Sequence, residues 1–444
     1  MFKRIAKRGG LAARFAWMIS FFGLATAVGG CASSLTRNPL PDAAAQQIAM
    51  IEGIPGVRFW ADEVPSDPVA AFRRAAPDLP RLAVGAQRVN GRPVVDILAL
   101  SGGGGDGAFG AGVLAGWTES GNRPEFEVVT GVSAGAIIAP FAFLGPKYDG
   151  VLKEIWTKYG TKDIGSVQGL QGLVGGDALI ETSGLAKLIA FYLNDKVVDE
   201  IAREYQRGRI LMVLTTNLDA QRPVVWNLGA LAKSRHPRAH HLLREVIRAS
   251  AAIPGAFSPV NIAVTANGRL HDELHVDGGT TMEIFVSPVP APLHQLDGLY
   301  DRPPIRRIYL IKNGRARPVY QAVDQKTLPI AGRAISTLIL NQSSGEIYQI
   351  YRRSLDAGAE FHFIAIPAEF PFIASEPFDP LYQTKLFEAG VGAGRHGNRW
   401  LDRPPELITD RPRSVPVKLR TVEPPPNAPP ARPAFTPEVF LSGN

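Results

Sequence analysis

The clearest structural signal in this chain lies in residues 126–144, FEVVTGVSAGAIIAPFAFL. The first five residues are largely apolar and β-branched, which predicts a buried strand, and the apolar residues after position 135 predict a helix. Between them Gly131-Val132-Ser133-Ala134-Gly135 predicts a tight strand-to-helix turn, because the two glycines avoid Cβ clashes. Such a turn exposes the serine hydroxyl beside the free N–H groups and the positive dipole end of the helix. Ser133 is therefore the candidate nucleophile.

An earlier strand leads into a second glycine-rich loop. Val94 to Leu100 is short and mostly apolar, as a buried strand would be, and GGGGDG follows at 102–107. Consecutive glycines expose backbone N–H donors with no side chains in the way. Donors of this kind stabilise the oxyanion of a tetrahedral intermediate by about 3–4 kcal/mol each. We expect Gly102, Gly103 and Gly104 to be those donors.

The same loop also matches the dinucleotide fingerprint G-x-G-x-x-G through Gly102, Gly104 and Gly107. That fingerprint requires an acidic residue about 20 residues later, at the end of the next strand. Glu125 and Glu127 stand at about that distance, but they begin the next strand, and its far end delivers the candidate nucleophile. The loop is more typical of an oxyanion site, with dinucleotide binding as the alternative.

A candidate general base follows much later in the chain. Asp277-Gly278-Gly279 comes directly after the extended residues 274–276. A carboxylate close to a serine hydroxyl accepts its proton as an ester carbonyl is attacked. An Asp-Gly pair is also a common turn, so Asp277 gains its significance only in combination with Ser133.

Together these three motifs resemble the patatin-like phospholipase family, which has a glycine-rich oxyanion loop, Gly-x-Ser-x-Gly and Asp-Gly-Gly or Asp-Gly-Ala in this order. Two further stretches are similar to blocks of the family: TNLD at 216–219 with VVW at 224–226, and RASAAIP at 248–254 with FSPV at 257–260. The resemblance covers about residues 94–315. It implies a three-layer α/β/α domain with a mostly parallel central sheet, which the alternation of predicted strands and helices also favours.

The resemblance implies a serine lipid acyl hydrolase with a Ser-Asp dyad, no metal and no cofactor. Ser133 would form an acyl-enzyme, and Asp277 would act first as its general base and then activate the deacylating water. Asp106 departs from the family, many of whose members carry Arg or Lys there, which puts a preference for charged phospholipids in doubt. Two alternatives remain: a catalytically silent envelope lipoprotein that binds lipid or a partner, and an acyltransferase.

A Ser-His-Asp triad is the main mechanistic alternative to the dyad. His271 and His275 lie close to Asp277 in the sequence. The two histidines are four residues apart, as in a zinc-binding helical pair. Their segment is expected to be extended, however, so no metal site is predicted.

The N-terminus predicts export. Five basic residues precede an apolar run from Phe15 to Val28, and small residues come before Cys31, which is the pattern of a secretory signal peptide. The run is short for a membrane span, which needs about 20 residues. VGGC at 28–31 resembles the lipobox of bacterial lipoproteins, implying a lipid on Cys31 and a place in the cell envelope, at the outer membrane facing the periplasm. The alternative is a plain secreted protein, or an uncleaved anchor, in which the cysteine is incidental.

The net charge does not indicate a nucleic-acid partner. The formal charge is +7, and residues 1–30 carry five basic and no acidic residues, so the remainder carries about +2. The expected partner is a membrane lipid. Cys31 is the one cysteine, which excludes an intramolecular disulfide.

The predicted organisation has five parts. They are a lipoprotein-type signal peptide (1–30), an N-terminal tether and packing region (31–93), the catalytic domain (94–315), a C-terminal α/β extension (316–402) and a proline-rich tail (403–444) expected to be disordered.

Overall fold

The computed structural model describes residues 37–76, 79, 82–167, 178, 180–287 and 291–405. The predicted signal peptide, Cys31 and nearly all of the proline-rich tail lie outside these residues. The strands are β1 (Arg58–Trp60), β2 (Arg88–Val89), β3 (Arg92–Leu100), β4 (Val128–Val132), β5 (Ser166–Val167), β6 (Ile180–Glu181), β7 (Ile210–Asn217), β8 (Arg222–Asn227), β9 (Val260–Ala266), β10 (Arg269–Asp277), β11 (Ile305–Arg315) and β12 (Glu360–Ile366).

The described residues also form helices, numbered here in chain order. They are α1 (Ala43–Ile48), α2 (Pro68–Ala75), α3 (Gly107–Glu119), α4 (Ala134–Leu144), α5 (Asp149–Lys158), α6 (Thr161–Ile164), α7 (Ser183–Tyr192), α8 (Asp195–Gln206), α9 (Leu228–Lys233), α10 (Ala239–Ser250), α11 (Thr327–Asp356) and α12 (Pro380–Arg395). Short 3₁₀ turns occupy Gly104–Asp106, Pro146–Tyr148, Gly278–Thr280, Leu293–Leu299 and Gly397–Arg399.

The central sheet has the strand order β1-β8-β7-β4-β3-β11-β12. Its middle pairs, β7–β4, β4–β3, β3–β11 and β11–β12, are parallel, and β1 and β8 add an antiparallel edge. Parallel strands joined by helices must be covered on both faces, because their crossovers place helices there. The structure is therefore the three-layer α/β/α arrangement with a mostly parallel sheet that the sequence predicted.

The strand β3 shows how the layers form. Its side chains alternate, so Leu98 and Leu100 enter one apolar cluster while Ile97 and Ala99 enter the other. The first cluster packs under α3, α4 and α10, and the second contains the side chains of α2 and of the C-terminal half of α11. The strand is buried from Pro93 to its end, which explains its continuous apolar sequence.

The strand β7 brings two distant parts of the chain together. Along one side it pairs first with β4 and then, antiparallel, with β10. Leu214 pairs with Val132, and the next residue, Thr215, pairs with Asp277. Ser133, the residue after Val132, and Asp277, the last residue of β10, therefore lie next to each other at the carboxyl edge of the sheet.

The predicted C-terminal extension adds to the same layers. β12 continues the sheet beside β11, and α12 packs against α3. The two helices approach so closely that a Cβ at Gly116 would lie 2.0 Å from the carbonyl oxygen of Val391, and one at Gly394 would lie 2.1 Å from that of Val113. Only glycine permits this backbone contact.

Two details differ from the sequence-based expectation. β4 spans Val128–Val132 rather than 126–130, so the turn is tighter than the predicted five residues. The segment before Asp277 belongs to a long β9–β10 hairpin, of which only the extended end was predicted. Within the described ranges, no helix combines the length and the apolarity needed to cross a membrane.

Candidate active site

Ser133 occupies the single position between β4 and α4. Its backbone has φ 53° and ψ −120°, a conformation that costs a non-glycine residue about 1–3 kcal/mol. The backbone N–H of Ser133 donates to Ser250 Oγ (3.0 Å), and that hydroxyl donates to the carbonyl of Leu214 (2.7 Å). Ser250, which sequence reasoning did not single out, thus ties the strained residue to β7.

The motif glycines around Ser133 are required by close approaches. A Cβ at Gly135 would lie 2.3 Å from the carbonyl oxygen of Leu100, and one at Gly131 would lie 2.4 Å from that of Gly135. Near Asp277, a Cβ at Gly278 would lie 2.4 Å from the carbonyl oxygen of Leu214. These contacts hold the nucleophile turn and the aspartate turn against neighbouring strand ends.

The structure brings Ser133 and Asp277 together. Ser133 Oγ donates to Asp277 Oδ2 at 2.6 Å, and the N–H of Gly279 donates to Asp277 Oδ1 at 2.8 Å. Burial raises the pKa of Asp277 to about 7, although both of these hydrogen bonds lower it. A carboxylate with a pKa close to neutral is well matched to taking a proton and returning it.

The glycine loop lies beside this pair, and one of its predicted donors is already engaged. The N–H of Gly102, a predicted oxyanion donor, donates to the carbonyl of Glu283 (3.2 Å) and is therefore not a free donor in this structure. Within the described part of the chain, the N–H groups of Gly103 and Gly104 have no partner. Gly104 lines the same cavity as Ser133. The N–H of Ala134, at the start of α4, is a third backbone donor beside those of Gly103 and Gly104.

The loop is held in shape by the end of β11. Gly103 has φ 153°, and a Cβ there would lie 1.9 Å from the carbonyl oxygen of Asn313. The side chain of Asn313 donates to the carbonyl of Ser101 (2.7 Å) and accepts from the N–H of Gly110 (3.1 Å). Asn313 therefore fixes both ends of the loop, a role that no sequence motif signalled.

A second buried carboxyl group lies behind the loop. A Cβ at Gly102 would lie 2.8 Å from Glu283 Oε2, and one at Gly279 would lie 2.5 Å from the same atom. The pKa of Glu283 is raised to about 8, mainly by burial and in smaller part by the charges of Asp277 and Glu346, against the opposing charge of Lys312. Glu283 thus fills the space between the glycine loop and the Asp-Gly-Gly turn. Sequence reasoning missed it, because no motif marks this position.

Asp106, the departure from the family pattern, has a structural partner. Its Oδ1 accepts a hydrogen bond from the hydroxyl of Tyr382 on α12 (2.7 Å). Burial raises the pKa of Asp106 to about 6, while Tyr382 and the charge of Arg315 lower it. The carboxyl group therefore joins the glycine loop to the C-terminal helix.

His275 is occupied away from the dyad. Its Nδ1 contacts Thr215 Oγ1 (2.9 Å) and its Nε2 contacts Glu273 Oε2 (3.1 Å), in a network that continues to the Arg58 guanidinium. The ring is fully buried, and burial lowers its pKa. His271 contacts the carbonyl of Pro39 instead. Neither histidine contacts Ser133 or Asp277, so the geometry disfavours the triad. Among the described residues there is no cluster suited to a metal ion.

Ser133 lines an apolar cavity. The cavity has about 790 Å³ of empty space, a volume that includes the solvent at its open mouth. Its wall is formed almost entirely by aliphatic and aromatic side chains. They include Ile137, Phe141, Trp156, Leu185, Leu188, Ile189, Tyr192, Ile247, Phe257 and Phe378. Such a cavity suits a hydrocarbon chain whose carbonyl end lies at the serine.

A family model matches the central part of the chain. The model described as patatin-like phospholipase matches residues 98–293. This chain contains a patatin-like phospholipase domain. Members of this family are generally lipid acyl hydrolases, and the match agrees with the predicted resemblance.

The other comparisons add little. The crystal structure of VipD from Legionella pneumophila aligns at 12% identity and a TM-score of 0.30, over 72% of this chain and 71% of VipD. A similarity at this level supports no argument about this chain. No curated protein matches it.

The matched region does not contain the whole site. Asn313, Phe378, Tyr382 and Gln383 lie beyond residue 293, yet they fix the glycine loop or line the cavity. The patatin-like domain of this chain is therefore completed by its C-terminal residues.

Proposed function

We propose that this protein hydrolyses carboxylic esters of membrane lipids through a Ser133–Asp277 dyad and an acyl-enzyme. The observation that carries the proposal is the 2.6 Å hydrogen bond from Ser133 Oγ to Asp277 Oδ2 beside the apolar cavity. The nucleophile, the base and an acyl-sized space converge on one point, as ester hydrolysis requires.

The proposed reaction has two halves. As Ser133 Oγ attacks the ester carbonyl, its proton passes to Asp277, and the oxyanion accepts hydrogen bonds from Gly103 and Gly104. Asp277 then returns that proton to the leaving alcohol. In the second half, Asp277 takes a proton from water as the water oxygen attacks the acyl-enzyme. The proton returns to Ser133 Oγ when the fatty acid leaves, so both residues recover their starting forms.

The proposed substrate is an ester with a long acyl chain. An almost wholly apolar cavity stabilises hydrocarbon by about 0.8 kcal/mol per buried CH₂. We also propose that a lipid on Cys31 holds the protein at a membrane of the cell envelope; the lipobox-like sequence at 28–31 supports this. Tethering would raise the local concentration of membrane substrate. Metabolic labelling with a fatty acid, compared between wild type and Cys31→Ser, tests this attachment.

Lipid profiling tests the proposed reaction. The purified protein is incubated with a mixed membrane extract, and Ser133→Ala serves as the control. We expect free fatty acids and lysolipids with wild type and none with the variant. Equal lipid profiles for the two proteins would reject the proposal, and transfer of the acyl group to an alcohol would identify an acyltransferase.

A silent lipid-binding protein is the second candidate, and Asp106 is the feature that favours it. An acidic group close to the oxyanion loop opposes the developing negative charge. Its bond to Tyr382 and the nearby charge of Arg315 reduce this effect. Fluorophosphonate labelling separates the two functions: labelled Ser133 supports the hydrolase, while a folded, unlabelled protein supports the binder.

A further inference from the structure

The N-terminal half of α11 projects beyond the sheet. Lys312 Nζ donates to Ser343 Oγ (2.6 Å), and Glu346 accepts from the N–H of Glu283 (2.9 Å), so the helix packs against the body only from about Ser343 onward. The preceding residues 327–342 extend for about 24 Å at 1.5 Å per residue.

The projecting half lies on the catalytic side of the molecule. β11 ends at this edge, beside the glycine loop, and α11 then returns to the opposite edge, where β12 begins. Because β3, β4 and β11 are parallel, their carboxyl ends share the edge that carries Ser133. We name residues 317–342 the arm.

The arm exposes large apolar side chains to solvent. Every described side chain from Arg317 to Leu338 is exposed except that of Arg333. Tyr320 is 93% exposed and Leu338 is 69% exposed. The other large apolar side chains that the arm exposes are Val319, Val323, Ile330 and Ile335. Large apolar side chains exposed together in one segment mark a candidate interaction site.

A segment hydrogen-bonded to the root of the arm also exposes a large apolar side chain. Arg315, at the root of the arm, donates to the carbonyls of Pro367 (3.0 Å) and Phe370 (2.6 Å). Ile373, three residues later, is 79% exposed. The same connection supplies Phe378 to the cavity wall. The exposed apolar residues therefore lie on the side of the molecule where the cavity is built.

The charged residues of the arm are mostly basic. Arg317, Lys326 and Arg333 are basic, and Asp324 is the one acidic residue between positions 316 and 345. Arg333 also donates to the carbonyl of Val319 (2.6 Å), which ties the start of the arm to its helix. Helices that lie in a membrane interface combine an apolar face with Lys and Arg.

We propose that the arm docks onto the surface of an anionic lipid bilayer and seats the carboxyl edge of the sheet against it. This inference rests on the proposed function, since it explains how a bilayer lipid reaches Ser133. Phosphate headgroups match the basic residues, and the acyl region accepts the apolar side chains. A second copy of the chain fits less well, because a symmetric contact would bring the same cations together.

Site-specific fluorescence tests the proposal. The full chain contains one cysteine, so Cys31→Ser with Leu338→Cys allows a nitrobenzoxadiazole dye to be attached at the arm. Ser133→Ala in the same chain keeps the vesicles intact. The matched control is Leu355→Cys on the same helix. The native Leu355 side chain is 49% exposed and lies near the opposite edge of the sheet.

On vesicles of phosphatidylglycerol and phosphatidylcholine, the dye at position 338 should shift to the blue and brighten severalfold, and the dye at 355 should not change. Adding Lys326→Gln should weaken the response, and so should vesicles of phosphatidylcholine alone. No response at 338, or an equal response at both positions, would overturn the proposal. A response that needs no vesicles and grows with protein concentration would overturn it in favour of a second copy.

The outcome is separable from that of the proposed function. Dye insertion does not require catalysis, whereas fluorophosphonate labelling of Ser133 does not require a membrane. Insertion without labelling would support docking and reject hydrolysis. Labelling without insertion would support hydrolysis and reject docking.

Discussion

Replacing Asp277 by asparagine should abolish hydrolysis and at the same time stabilise the folded protein above neutral pH. Asparagine has nearly the same shape. Its oxygen can accept a hydrogen bond from the N–H of Gly279, and its amide group can donate one to Ser133 Oγ. The variant therefore makes the same number of hydrogen bonds as the native carboxylate, with the one to Ser133 reversed. The variant loses the ability to take up a proton, and it also loses a buried negative charge.

The size of the stabilisation follows from the pKa of Asp277. Burial raises this pKa from 3.8 to about 7, and each pH unit of difference corresponds to about 1.4 kcal/mol. Between these two values the folded protein binds more protons than the unfolded chain, so wild-type stability falls as the pH rises. The variant avoids this loss. Its advantage should be absent below pH 3.8 and should reach at most about 4 kcal/mol above pH 7.

Urea denaturation at several pH values measures this difference. Ser133→Ala is the control, because it is inactive but keeps the carboxylate and should retain the wild-type fall in stability. A variant Asp277→Asn that is less stable than wild type at pH 8, or whose advantage does not depend on pH, would refute the reasoning.

Four further results are expected. With a soluble short-chain ester, kcat/KM should fall on the acid side with an apparent pKa near 7, because Asp277 must be ionised to accept the proton. His275→Ala should retain fluorophosphonate labelling but lose about 2–3 kcal/mol in urea denaturation, since it breaks a buried polar network. Ser250→Ala should lower kcat for the short-chain ester severalfold by freeing the backbone of Ser133. Leu188→Trp should reduce hydrolysis of long-chain esters relative to short-chain ones, because it narrows the cavity.

Each of these expectations has a contrary outcome. A pH profile flat between 5 and 9 would remove Asp277 as the base; both values lie about two pH units from its pKa, so a titrating group would show clearly. Loss of labelling in folded His275→Ala would restore the triad. Unchanged kcat in Ser250→Ala would show that the backbone conformation of Ser133 does not depend on its hydrogen bond to Ser250. An unaltered chain-length profile in Leu188→Trp would place the acyl chain elsewhere.

The parts predicted correctly from the sequence are those with local signals. The strand before residue 131 and the helix after residue 135 are apolar runs bounded by glycine, and their spacing alone predicts a turn. The partners of Ser133 carry weaker signals. Ser250, Glu283 and Asn313 act through distant contacts, and a single polar residue has no periodicity that would reveal such a role.

The register of the sheet could not be predicted either. Asp277 reaches Ser133 because β10 follows β4 along the same side of β7, an arrangement that depends on pairing between residues far apart in sequence. For the same reason the engaged N–H of Gly102 was missed, since its partner carbonyl belongs to a residue 181 positions later, Glu283.

Trapping the acyl-enzyme would show directly whether Ser133 is the nucleophile and Asp277 its base. The protein is mixed with a long-chain nitrophenyl ester, quenched in acid during turnover, digested and analysed by mass spectrometry. We expect one acylated peptide, with the acyl group on Ser133, and no acylation in Asp277→Asn. Turnover with the acyl group on another residue, or undiminished acylation of Ser133 in Asp277→Asn, would contradict it.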